Sequence, residues 1–377
     1  MSRAAPATRS PSGSLAYPLI LALSALDAAG YSVIAPLLPA IARETGAGPA
    51  AIGALAATFP LGILAGFPIA GRWIQRRGAE TLLPVSTLVV AAGAVPFVLA
   101  DGLPAFFLGR LVMGLGSGGL WLGVTYSTLE RWPGMEYRCM SRVFAAYSAG
   151  ALLGPALGAL GGVRTPFAAY LGLAALGAGA ASLLGPPEAR RPFRADRSAM
   201  RAPGFALACV GVAFAVLCLG VVDGVLPLHL ATGLAQRGIA VLFVGVAALH
   251  AVGATLAGRA RPRSALLAAA ALAVIWIAAA GIADAPVAWF LALAVAGIGV
   301  GLGETGSIGV LLRAVPAERS VTAMVVWSQI GIVGYLVGPL AGGAVAETLA
   351  FAWIGLVPAA GAAVLGFFLV RSRREGG

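Results

Sequence analysis

The chain has 377 residues, of which 60% are hydrophobic and only 10% charged, against about 25% charged in an ordinary soluble domain, so a water-soluble surface cannot be built from it. Its mean hydropathy is +0.94, and apolar runs long enough to cross a ~30 Å hydrocarbon core recur along its whole length. The formal net charge of +11 does not point to nucleic acid, because the basic residues, every one an arginine, stand in short clusters between apolar runs, as juxtamembrane anchors facing anionic lipid do.

Residues 1–14, rich in Ser, Pro and Ala, read as a disordered tail. The apolar run that follows is too long for a signal-peptide core and carries Asp27, so it is expected to be retained. Apolar runs then fall at 15–42, 50–73, 80–100, 103–128, 138–162, 165–185, 203–231, 238–258, 264–283, 286–312, 320–346 and 349–370. The fold class predicted is an all-α integral membrane protein of about twelve transmembrane helices. Between the sixth and seventh runs lies the longest polar stretch, GPPEARRPFRADRSAMR. It makes 186–202 a linker between six-helix bundles at 15–185 and 203–371, with a short tail at 372–377.

Short cytoplasmic loops keep an excess of arginine. The tails, the linker and the alternate loops on their side hold 21 arginines, whereas the opposite side holds only Arg43, Arg164 and Arg237. Both termini and the linker are therefore expected on the cytoplasmic side of the inner membrane. Cys139, Cys209 and Cys218 show neither metal-ligand spacing nor an even disulfide framework and read as packing residues. No metal site, cofactor or nucleotide site is visible.

Two stretches of the chain match each other. The fifth run carries Gly150, Gly154, Pro155 and Gly158, and the eleventh carries Gly334, Gly338, Pro339 and Gly342, the same GxxxGPxxG pattern 184 residues further on. A six-helix unit duplicated in parallel produces such an offset, and two such halves are a transporter architecture. Small residues at this spacing also simply let helices pack closely.

With these motifs in view the chain resembles the major facilitator superfamily, and in particular its twelve-span drug:proton antiporters. Gly150, Gly154, Pro155 and Gly158 are similar to the antiporter motif of that family. Gly71, Arg76 and Gly78 resemble its loop motif between the second and third helices, and Arg110 with Gly114, Gly116 and Gly118 resembles its intramembrane arginine motif. Asp27, with Pro36 and Pro39 downstream, is also typical. Departures are Gln75, where the loop motif usually has an acid, and Ala79 and Glu80, where it has bases. The resemblance implies two pseudo-symmetric six-helix bundles whose first, fourth, seventh and tenth helices line a central cavity.

Four ionisable residues lie well inside the apolar runs: Asp27, Arg110, Asp223 and Glu304. They fall on the first, fourth, seventh and tenth runs. Charge at bilayer depth is costly and marks a substrate or proton path. Asp27, Arg110 and Glu304 are the candidates for proton coupling. Asp27 takes and gives the proton and Arg110, which stays charged, modulates it; a fixed ion pair between the two is the competing reading. Glu304 follows the alternating glycines Gly297, Gly299, Gly301 and Gly303, which would let its helix bend or approach a neighbour; it reads as a substrate or proton site, against a helix-packing role in which it is hydrogen-bonded to a neighbour. Asp223, shortly before Pro227 and His229, sits either at a cavity mouth or at a solvated helix end. His250, alone on an apolar helix, reads as a packing residue more readily than a proton relay. Asp223, Tyr31, Trp121, Tyr126 and Trp327 are taken as substrate-cavity residues, with Phe59, Tyr147, Trp276 and Tyr335 as further candidates for cavity walls.

Three acids against one arginine suit a cationic or neutral amphipathic substrate. The function expected is proton-coupled efflux of small lipophilic or cationic compounds by alternating access, from a monomer. One alternative is facilitator-type uptake of a sugar or amino acid, which the supply of only three glutamines and no asparagine disfavours. The other is a membrane-embedded sensor or enzyme, for which no catalytic constellation is present.

Overall fold

The computed structural model describes residues 15–133, 135–187, 197–202, 204–282, 286–315 and 320–374. The tail expected at 1–14, the middle of the expected linker (188–196) and the last three residues of the chain lie outside them. Among the described residues the chain forms twelve long helical segments: α1 (Ala16–Thr45), α2 (Pro49–Arg77), α3 (Ala79–Leu99), α4 (Leu103–Arg131), α5 (Glu136–Gly158), α6 (Arg164–Ala181), α7 (Phe205–Leu230), α8 (Gln236–Arg259), α9 (Pro262–Ile282), α10 (Pro286–Ala314), α11 (Ser320–Thr348) and α12 (Leu356–Arg374). Nine of these are long and apolar enough by themselves to cross a membrane. The longest unbroken helices, α2, α4, α10 and α11, have 29 residues each, or roughly 43 Å at 1.5 Å per residue, more than an untilted crossing needs.

Two helices are broken, and proline explains the breaks. Pro36 has no N–H to continue the ladder and Pro39 follows it, so α1 ends its first part at Ser32, passes through a 3-10 turn at Ala35–Leu37 and resumes at Leu38. In α7 the main helix stops at Gly224, and Pro227 lies in the first turn of the short piece Leu226–Leu230.

The packing repeats itself between the halves. In the first, α5 lies on α1, α4 lies on both α2 and α3, α6 lies on α3, and α1 also meets α4 and α6. In the second, α11 lies on α7, α10 on both α8 and α9, α12 on α9, and α7 also meets α10 and α12. Adding six to each label of the first set gives the second. The halves join through α2 on α11 and α5 on α8, a pair of interfaces that the same operation exchanges. Twelve long helices in two pseudo-symmetric bundles are thus the observed architecture among the described residues.

Glycine decides how close these helices come. A Cβ on Gly150 would collide with the Ala25 carbonyl oxygen of α1, and one on Gly154 would collide with the Ser32 hydroxyl and lie 2.7 Å from the Ala29 oxygen. In α11, Gly334 and Gly338 stand the same way against Ala213 and Leu217 of α7. The repeated motif is therefore a close-packing device within each half, the plainer of the two readings available from sequence. Pro339 adds something its counterpart does not show: its carbonyl faces Gly53 of α2, and its ring faces Gly220 and Gly224 of α7. It sits where three helices and both halves meet.

One face of the molecule is sealed between the halves. On the face away from the chain termini, the Ala50 N–H at the start of α2 donates to Glu347 Oε2 at the end of α11, at 2.8 Å. At the symmetry-related place Gln236, opening α8, donates to the carbonyls of Gly158 and Gly162 after α5, at 2.8 and 3.1 Å. Toward the terminal face the halves leave an apolar recess lined by Phe67, Trp121, Leu122, Thr125, Met324, Val325 and Ser328.

Candidate functional site

The ionisable residues of the spans converge at the centre. Arg110 of α4 is fully buried, in surroundings where an unpartnered charge costs several kcal/mol or more. Its guanidinium donates to the carbonyl oxygens of Gly30 (3.3 Å) and Tyr31 (3.5 Å) and stacks 4.2 Å above the Phe59 ring. Those acceptors exist because α1 breaks: the last carbonyls of a helix have no partner within it, and the break at Pro36 places two of them at bilayer depth. Arg110 thus anchors the end of the first part of α1.

Asp27 lies one turn earlier on α1, 3% exposed. The Ser117 hydroxyl of α4 donates to its carboxylate, and its Oδ1 has no hydrogen-bond partner. No Asp27–Arg110 ion pair forms within 4.0 Å, because the guanidinium is committed to α1 carbonyls further along. The fixed ion pair weighed from sequence is not what this geometry contains.

Asp223 is neither at a mouth nor at a solvated helix end. It is 9% exposed, at the end of the main helix of α7, and accepts a 2.5 Å hydrogen bond from the Tyr31 hydroxyl of α1 and a 3.4 Å one from Tyr335 of α11. The Tyr31 and Tyr335 rings meet edge to face at 5.4 Å. A carboxylate of one half is therefore held by a phenol of the other.

Glu304 is paired with His250, Oε2 to Nε2 at 3.0 Å. Reading His250 from sequence as a packing residue missed this partner. The glycine run explains how they meet: a Cβ on Gly301 would collide with the His250 carbonyl oxygen and one on Gly297 would lie 2.7 Å from the Val246 oxygen, both on α8. Gly303 instead faces Ala215 of α7. Alternate glycines thus let α10 press on two neighbours at once. The Ser307 hydroxyl donates to the Glu304 carbonyl at 2.7 Å and accepts from Trp327 at 3.3 Å, so Trp327 of α11 braces the turn of α10 that carries Glu304.

Tyr147 of α5 ties the set together. It interacts electrostatically with Asp27, Glu304 and Asp223, and its ring lies 5.4 Å from that of Trp121, which also meets Phe144 at 5.5 Å, both edge to face. Trp121 also lines the apolar recess, beside Phe67 and Met324. Tyr126, expected in the cavity, is elsewhere: it packs on the cluster of Ala70, Ile74, Ala79 and Leu82 near the terminal face. Five residues on from Trp121, it projects from another side of the helix.

The loop motif is less uniform than its resemblance suggested. Gly78 has φ +90°, a conformation that favours glycine. A Cβ on Gly71 would meet nothing within 4 Å, and Arg76 and Gln75 are exposed. Glu80, a departure from the family pattern, is buried in the first turn of α3 and within electrostatic reach of Arg131 at the end of α4. An acid at a position that the resembled motif fills with a base was the signal that could have singled it out.

Comparison with known proteins agrees with this picture. The profile of the family described as Major Facilitator Superfamily matches residues 20–279. Multidrug resistance protein 1 of Bacillus subtilis (strain 168) is 26% identical over 134 residues, 34% of this chain and 33% of that protein. The class D tetracycline resistance protein of Salmonella ordonez is 30% identical over 168 residues, 42% of this chain and 41% of that protein. The alignments thus span less than half the length of these curated relatives. Among solved structures, a bacterial homolog of the human lysosomal transporter Spinster, inward-facing and occupied, matches with a TM-score of 0.77 at 17% identity, covering 97% of this chain and 98% of that one. The nucleoside transporter NupG matches with a TM-score of 0.75 at 13% identity, covering 95% and 100%. At these identities the structural likeness concerns the fold.

Proposed function

Since the chain belongs to the Major Facilitator Superfamily, we propose that it is a proton-coupled exporter of small lipophilic or cationic compounds. It works by rocking of the bundles 15–185 and 203–371 about the central site, as a monomer in the inner membrane with both termini cytoplasmic. One observation carries this reading: Asp223 of the second half accepts a hydrogen bond from Tyr31 of the first, across the interface between the halves, while Asp27, Asp223 and Glu304 all lie within electrostatic reach of Tyr147. A carboxylate can take up and release protons, and one shared between halves links its charge state to their relative position. The partial likeness to multidrug and tetracycline resistance proteins supports efflux.

In this scheme Asp27 is the carrier of the coupled proton in the first half. Its one bonded oxygen and its one free oxygen leave room for a proton, and Arg110, bound to the α1 backbone one turn away, senses the same segment. The aromatic wall of Trp121 and Tyr147 offers ring faces to an apolar or cationic solute. The driving force is an ion gradient.

The test uses proteoliposomes loaded with a pH-sensitive dye, to which a series of lipophilic cations is added, with wild type and Asp27→Asn compared. Cation-dependent proton movement in the wild type that the substitution abolishes is the expected result. Cation flux without proton movement would mean uniport or another coupling ion, and would overturn the antiport reading.

A further inference from the structure

Glu304 and His250 differ from the other central ionisable groups in being partly exposed. Their side chains are 29% and 23% exposed, while Asp27 and Arg110 are sealed. The charged and titratable groups facing His250 are Glu304 of α10 and Asp223 of α7. From α5, Tyr147 faces Glu304. Among the described residues the imidazole therefore stands among carboxylates, its ring nitrogen within hydrogen-bond distance of one that is partly exposed. Close approach of α8 and α10 through Gly253, Gly297 and Gly301 places this pairing at the helix interface.

We infer that His250 is a built-in surrogate for a substrate cation: in the empty protein its imidazolium occupies Glu304, and an incoming organic monocation displaces it. This rests on the proposed exporter reading and assigns its cation site. The exchange balances. The carboxylate keeps its negative charge and passes from the imidazolium to the solute. Left without its counter-ion, the imidazolium loses its Nε2 proton to water, the electron pair staying on nitrogen. One positive charge enters the site and one proton leaves it, so cation binding and proton release become a single event in the second half of the chain. The arrangement also selects by charge, since a neutral solute brings nothing to replace the imidazolium and an anion would face the Glu304 carboxylate.

The experiment uses purified full-length protein in weakly buffered detergent solution with a pH dye, titrated with tetraphenylphosphonium, a lipophilic monocation that carries no proton of its own. Wild type is expected to release about one proton per probe bound, the linkage that follows when binding removes one protonated group. His250→Gln, which keeps a hydrogen-bond donor toward Glu304, should still bind the probe but release little or no proton. Glu304→Gln should bind at least roughly tenfold more weakly, the loss expected on removing a charged partner. Thermal unfolding of each variant checks that it is folded. Proton release by His250→Gln equal to that of wild type would overturn the role of His250 while leaving proton-coupled export standing. Probe binding without release in wild type would overturn the exchange itself. Failure of folded wild type to bind the probe would remove the cationic-substrate reading and this inference with it.

Discussion

Arg110, Tyr31 and Asp223 form one connected structure at the level of single side chains. Arg110 holds the end of the first part of α1 by two backbone carbonyls. The second of these residues, Tyr31, reaches across to Asp223 with its side chain. A hydrogen bond to a charged group in a dry interior contributes about 1–3 kcal/mol. Tyr31→Phe is therefore expected to lower stability in detergent by about that amount. Tyr335→Phe, which removes only the 3.4 Å contact, should cost less. Thermal unfolding of the two variants side by side decides it, and a larger loss at Tyr335 would contradict the ranking. Arg110→Lys is expected to impair transport severely despite keeping the charge, because an ammonium cannot both reach two adjacent carbonyls in a fixed fork and lie flat over the Phe59 ring.

At the level of helices, glycine placement sets the distances on which the site depends. Gly150 and Gly338 bring α5 onto α1 and α11 onto α7, so that Tyr147 comes within electrostatic reach of Asp27 and Tyr335 bonds Asp223. Valine at either glycine would force backbones apart, since a Cβ there already collides with a main-chain carbonyl. Overpacking of this kind costs roughly 1–3 kcal/mol or more, and loss of the folded, monodisperse peak on size exclusion is expected for Gly150→Val and Gly338→Val. Gly71→Ala is the contrasting case: nothing lies within 4 Å of its Cβ, so its elution and melting should match wild type. A destabilised Gly71→Ala would show that the close-approach argument misses what the loop motif does.

For the whole molecule the question is which face opens. The sealed face is closed at two symmetry-related points, and in each a side chain of one half satisfies a helix end of the other. The Glu347 carboxylate meets the positive end of α2, and Gln236 donates to carbonyls at the end of α5, positions where such groups are favoured. Removing both contacts with Glu347→Ala and Gln236→Leu is expected to raise the rate at which a maleimide modifies a cysteine placed at Ala56, which is buried near the junction of α2 and α7. Glu347→Gln, which keeps an acceptor for the Ala50 N–H, should leave the rate near that of its parent. Equal rates in all variants would mean that these contacts do not hold the face shut.

Membrane class, twelve spans, the duplication and the depth of Asp27, Arg110, Asp223 and Glu304 were all legible in the chain by itself, because in lipid each crossing must satisfy its own backbone and so writes a long apolar run whatever its neighbours are. The partners of those four residues were not. His250 opposite Glu304, Tyr31 across from Asp223 and backbone carbonyls in place of Asp27 beneath Arg110 depend on helix rotation, on two proline breaks and on glycine contacts between helices, and the Tyr31–Asp223 bond alone joins residues 192 apart in the chain. Hydrophobicity nearly uniform around each helix leaves rotation undetermined, so only the packing of all twelve helices decided which polar groups meet.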